Sequence, residues 1–184
     1  MSETLFDVPP SVRKDAKISP CGQYRYWLTR RWDDRPLLGW VMLNPSTADA
    51  NIDDATIRRL AGTKKRPGFA RRWGYGGIIV RNLFALRATD PKELRRHPDP
   101  IGPENDDELT RVKEPVTMLA WGANAPIQRA SHVADLLWHQ SRVHGTRLAI
   151  LGWTKLGAPG HPLYVRLDEI PKYCDLEGRL HVPI

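Results

Sequence analysis

Residues 37–49 read LLGWVMLNPSTAD, and this stretch decides the fold. Its first seven residues are nearly all apolar, a run of strand length with a β-branched residue and an aromatic ring. Such a run is a strand buried on both faces. Pro45 has no N–H for a ladder, so regular pairing stops at Asn44. Three similar runs follow, at 76–86 (GGIIVRNLFAL), 116–122 (VTMLAWG) and 147–153 (RLAILGW). Helical patterns lie between them. Residues 54–73 carry one, interrupted by TKKRPG at 63–68, and ATDP at 88–91 opens another with Thr89 or Asp90 as cap and Pro91 in the first turn. NDDELTRV begins a third at 105, after a Pro-rich loop over 97–106. Residues 126–143 place Ile127, Ala130, Val133, Ala134, Leu137 and Trp138 at core-facing spacing.

Buried strands alternating with helices predict a three-layer α/β/α sandwich with a mostly parallel central sheet. Upstream, YRYWLTRRW at 24–32 is an alternating, aromatic-rich strand followed by the turn DDRP at 33–36. Antiparallel pairing of this strand with 37–43 is the simplest arrangement. Residues 1–20 read as an N-terminal arm and 21–184 as a single α/β domain.

Lys and Arg number 28 against 21 acids, for a net charge of +7. That balance attracts phosphates, and it equally suits a merely soluble surface. The two cysteines, Cys21 and Cys174, match no zinc spacing and cannot supply the four thiolates of an iron–sulfur cluster. No metal or cofactor is expected, and both thiols read as reduced or buried. The N-terminal residues lack a signal-peptide core, and no run of about 18 apolar residues exists to span a membrane. The expected location is cytoplasmic.

Ligands of such folds bind beyond the carboxyl ends of the strands. Three strands here end in residues that a core cannot use: Asn44 after the first, Asn82 within the second, and His161 in the Gly/Pro-rich loop after the last. Each alone suits an ordinary turn, a loop cap or an exposed loop. Together, on parallel strands, they converge on one rim.

VMLNPSTADA at 41–50 resembles the first motif of the uracil-DNA glycosylase superfamily, whose mismatch-specific branch carries Gly-Ile-Asn-Pro-Gly after its first core strand. WGYGGIIVRNLFALRATDPKEL at 73–94 is similar to that branch's second strand, and VTMLAWGANA at 116–125 to its next. GAPGHPLYV at 157–165 resembles the last motif, commonly His-Pro-Ser-Pro-Leu. Met42 stands where the branch has glycine, and Leu163-Tyr164 where it has Ser-Pro. Across LNPSTAD, RNLFALRATDP, DPIGPEND and LGWTKLGAPGHPLY, the chain also resembles the domain of unknown function 1643 family.

The glycosylase resemblance implies a monofunctional enzyme hydrolysing the N-glycosidic bond of a modified or aberrant pyrimidine in DNA, leaving an abasic site. By it, Asn44 orients the attacking water and His161 donates to the base as negative charge develops. Asn82 offers the paired donor and acceptor that a pyrimidine edge needs, with Pro45 and Ser46 beside it. Phe84 either stacks on the flipped base or packs in the core. Uracil-specific enzymes place a bulky aromatic after this motif. The small Ser46, Thr47 and Ala48 leave room for a 5-substituent, which suits defence against phages with modified DNA.

Asp49, Asp53 and Asp54 compete for the role of base or of a Mg²⁺ site. Asp53-Asp54 also reads as a helix N-terminus, which leaves Asp49 as the third catalytic candidate. Lys64, Lys65, Arg66, Arg87 and Lys155 are candidate phosphate contacts or solvated surface. Two alternatives remain on this scaffold: a non-catalytic module binding a flipped base or nucleic acid, and a small-molecule nucleoside or nucleotide hydrolase.

Overall fold

Apolar side chains of the inner strands pack with helix residues in two separate clusters. The computed structural model describes residues 12–46, 52–90 and 92–174. Their elements are β1 (Arg13–Ile18), β2 (Arg25–Arg31), β3 (Leu37–Met42), α1 (Ala55–Ala61), α2 (Phe69–Arg72), β4 (Gly77–Asn82), α3 (Lys92–Arg96), α4 (Asn105–Leu109), β5 (Val116–Leu119), α5 (Ile127–His144), β6 (Arg147–Ile150) and β7 (Lys172–Tyr173). One turn of 3-10 helix, Pro162–Tyr164, lies between β6 and β7. The strands form a seven-stranded sheet in the order β1-β2-β4-β3-β5-β6-β7.

Pairings β4–β3, β3–β5 and β5–β6 are parallel, whereas β1–β2, β2–β4 and β6–β7 are antiparallel. The sheet is mixed, which corrects the expectation of a mostly parallel one. β2 also does not pair with β3, because β4 lies between them. The reason is burial. Every residue of β4 is buried, as is β3 from Leu38 onward, so both need neighbours on two edges. The alternating, half-covered β2 suits a position farther out. Gly76 makes the junction. Its carbonyl accepts from Trp32 and Asp33 N–H at 2.9 and 3.1 Å, and its N–H donates to Pro36 O at 3.0 Å. Arg13–Ile18, within the stretch expected as an arm, is the edge strand β1, and its charged side chains discourage pairing with other chains.

Successive residues of a strand face opposite sides, and two cores result. Leu38, Trp40 and Met42 join Ile57, Leu60 and Phe69 of α1 and α2 in one cluster. Val41, Leu119, Leu148 and Ile150 join Leu109, Val133 and Leu137 of α4 and α5 in the other. Trp40 is fully buried, with ring centroids 6.1 Å from Phe69 and 6.2 Å from Trp73. In α5 the expected stripe is displaced at its start: Ile127 is exposed, and the buried residue of that turn is Arg129. No helix among the described residues is long and apolar enough to cross a membrane.

β3 and β5 approach closely at Gly39, where an added Cβ would lie 2.4 Å from Thr117 Oγ1 and 3.3 Å from its Cα. Overpacking of this kind costs about 1–3 kcal/mol. Gly39→Ala is therefore expected to lose stability in that range by urea unfolding, and Thr117→Ala in the same chain to restore part of it. A Gly39→Ala protein as stable as the parent would contradict this packing.

Candidate functional site

From β3 the chain passes through α1 and α2 to β4 on one side, then through α3 and α4 to β5 on the other. The order therefore reverses at β3, and open α/β sheets bind ligands beyond the carboxyl ends of the strands at such a point. A cavity of about 480 Å³ lies there. Asn44, Asn82, Trp121 and Trp153 each come from the carboxyl side of a different parallel strand, and His161 and Tyr164 from the loop after the last. Arg25, Ser46, Asp54 and Thr56 add to its polar lining.

Asn44 is held by its amide group. Its Nδ2 donates to Ala88 O at 2.8 Å and Pro45 O at 3.0 Å. Both amide hydrogens thus face carbonyls, and Oδ1 is the end left to accept a hydrogen bond. Beyond it, Ser46 Oγ donates to Asp54 Oδ2. The other oxygen of Asp54 caps α1, accepting from Ile57 N–H at 2.8 Å. Asp53 is paired with the buried Arg30, 2.7 Å from its Nε. The helix-start reading of Asp53-Asp54 therefore describes Asp54, which also lines the cavity. Asp49 lies outside the described residues.

Asn82 ends β4 opposite Met42 and is 1% exposed. Its Nδ2 is buried with no hydrogen-bond partner among the described residues, and the residue lines the cavity. The backbone around it is tightly held. Asn105 Nδ2 donates to Asn82 O and Leu83 O at 3.1 and 3.0 Å, and Arg129 Nε donates to Leu83 O at 2.8 Å. Arg129 in turn makes a two-pronged pair with Asp106, whose carboxyl it holds below the usual range.

The His161 loop is built by its own backbone. Thr154 N–H donates to Ala158 O at 2.8 Å, and Gly160 N–H to Gly152 O at 2.7 Å. Gly122, at φ +75°, donates to Pro159 O at 2.9 Å, and a Cβ there would meet the His161 side chain at 3.4 Å. Arg59 ties the loop to α1 through Pro162 O and Val165 O. His161 Nδ1 accepts from Leu163 N–H at 3.3 Å. The proton of the neutral ring therefore sits on Nε2. Burial pushes its pKa below 6.5, opposed by the Asp54 carboxylate.

The model of the family described as protein of unknown function DUF1643 matches residues 25–163. The chain belongs to that family. No curated protein matches it, and no solved structure does. The matched span holds Asn44, Asn82 and His161, and none of the comparisons extends to the uracil-DNA glycosylase superfamily.

The other expected residues of this DUF1643 chain are scattered. Ser46 lines the cavity, and Pro45 is buried behind its rim. Phe84 is 6% exposed, packs in the second core and lines a separate concavity, not this cavity. Arg87 lines a shallow concavity that shares Ser46, Ala88 and Thr89 with the cavity. Lys155 is exposed in the turn beside Thr154. Lys64 is exposed, while Lys65 and Arg66 line a separate concavity. Among the described residues no group of three or more His, Cys, Asp or Glu could hold a metal ion. Cys21 is an exposed free thiol.

Sequence reasoning missed Arg25, Trp121, Trp153 and Tyr164. The tryptophans lie within three residues of the ends of β5 and β6, the same signal that singled out Asn44. By NMR, the His161 ring is expected to titrate below pH 6.5, and lower still in Asp54→Asn, which keeps a capping side chain but loses the charge. A midpoint above 6.5, or one that rises in the variant, would refute this electrostatic layout.

Proposed function

We propose that this protein is a DNA glycosylase of the uracil-DNA glycosylase type, built as a three-layer sandwich. It would hydrolyse the N-glycosidic bond of a modified or aberrant pyrimidine turned out of the helix into the cavity. The observation that carries the reading is Asn82. A buried donor without a partner costs about 1–3 kcal/mol, and a ligand bearing an acceptor at that point recovers it. An amide presents donor and acceptor side by side, as a pyrimidine edge does. Trp121, Trp153 and Tyr164 supply the aromatic surface for the ring, one of the two parts open to Phe84 from the sequence.

Asn44 holds the attacking water. Oδ1 accepts one of its hydrogens and leaves a lone pair directed at the sugar carbon. The amide does not act as a base; the C1′–N bond breaks ahead of attack, and the water's proton passes to solvent or to a carboxylate. His161, neutral, donates Nε2–H to the pyrimidine oxygen that gains charge as the base departs. Desolvation keeps it neutral at pH 7. The modest side chain of Ser46 leaves space for a 5-substituent, consistent with a role against phages carrying modified pyrimidines.

The test is a panel of single-stranded and duplex oligonucleotides carrying uracil, mismatches and 5-modified cytosines, with alkali revealing abasic sites. One or more should break at the pyrimidine. Asn44→Ala and His161→Ala should each slow single-turnover release by about 10²–10³-fold, with DNA affinity nearly intact. Because neutral His161 is the working form, the rate should be flat near pH 7 and fall as pH drops through its lowered pKa. The acid limb should be missing in His161→Ala. Tight binding of DNA with no base released from any substrate would instead favour a non-catalytic binding module.

A further inference from the structure

On the other side of α1 from the cavity, Arg58, Arg59, Lys65, Arg66 and Arg72 line a second concavity of about 580 Å³. The other described residues of its wall are Ala55, Pro67, Gly68 and Leu167, so among the described residues no carboxylate lines it beside the five cations. Three of these arginines are anchored on backbone carbonyls: Arg58 on Asp53 O, Arg59 on Pro162 O and Val165 O, and Arg72 on Pro67 O at 3.4 Å. A carbonyl fixes a guanidinium in place without cancelling its charge. Two neighbouring carboxylates are paired with cations outside the groove, although Asp168 also feels the charge of Arg72. Asp53 pairs with Arg30 at 2.7 Å and Lys14 at 3.7 Å, and Asp168 with Arg166 at 2.8 Å.

Lys65 and Arg66 project from a constructed turn. Gly62 bridges to Pro67, Thr63 N–H donates to Arg66 O at 2.9 Å, and Arg66 N–H to Thr63 Oγ1 at 3.0 Å. A Cβ on Gly68 would fall 2.6 Å from Arg59 O, so glycine lets the turn close onto α1. Positive charges held close together repel one another, and a polyanion laid along them relieves that repulsion.

We propose that this groove binds the phosphodiester backbone of a polynucleotide, away from the nucleotide whose base enters the cavity. The second half of that statement rests on the glycosylase reading; the groove itself does not. α1 is the shared wall, with Thr56 and Ile57 toward the cavity and Ala55, Arg58 and Arg59 toward the groove. A helix is about 10–12 Å across, roughly three base-pair rises of 3.4 Å. A strand serving both is gripped on either side of α1, and a mononucleotide cannot reach both.

The test is equilibrium binding of unmodified oligonucleotides, single-stranded and duplex, between roughly 50 and 200 mM salt. The parent protein should lose affinity steeply. In Lys65→Ala/Arg66→Ala/Arg72→Ala the slope of log affinity against log salt should flatten by about two units. All three side chains are exposed, so thermal melting should be unchanged, and a mononucleotide should bind both proteins alike. A slope that does not move overturns the proposal. So does displacement of the oligonucleotide by poly-glutamate at equal charge, which would make the partner an acidic polypeptide. If no base is released from any substrate but the slopes still differ, the groove stands and only the cavity's reading fails.

Discussion

β3 has no face and no edge to spare. Its side chains from Leu38 to Met42 are buried, and β4 and β5 occupy its edges in parallel register. Polar chemistry can leave such a strand only at its ends. At the carboxyl end the connections part to opposite faces of the sheet, and a crevice opens. Asn44 stands there because the strand stops there, and Pro45 ensures that it stops. The other parallel strands end level with β3, so Asn82, Trp121 and Trp153 arrive at the same cavity without further design. Packing errors at the β3–β5 contact would therefore be felt at the site as well as in stability.

α1 separates two electrostatic environments. Toward the cavity it presents its capping Asp54, which steadies Ser46 and partly offsets the effect of burial on His161. Away from it, arginines held by carbonyls keep their charge. Arg59 belongs to both, since it lines the groove and carries the loop that positions His161. A cavity lined by Trp121 and Trp153 beside a charged groove suits a ligand that is itself divided, with an aromatic ring at one place and phosphates at another.

The inner strands were legible because a run apolar on both faces has few other uses. So were Asn44, Asn82 and His161, as polar residues where such runs end. Pair order was less legible. The turn at 33–36 looks like a hairpin, yet whether β2 meets β3 or β4 depends on how completely β4 is buried, a tertiary property. β1 and β7 were invisible, since their charged and mixed residues lack a strand's apolar period. Arg129 shows a second limit. A buried arginine in a helix stripe reads as surface until Leu83 O and Asp106 are seen to receive it. Phe84 shows a third: alternation says that it faces one side of a strand, and only the second core shows which.

The cavity's assignment turns on what lies against Asn82. The most direct measurement is a crystal structure of the Asn44→Ala protein bound to a duplex carrying one mispaired 5-modified pyrimidine. That pyrimidine is expected outside the helix and inside the cavity, its polar edge within about 3.2 Å of the Asn82 amide and an oxygen facing His161 Nε2. A pyrimidine still stacked in the duplex, with the cavity holding no part of the nucleic acid, would contradict it.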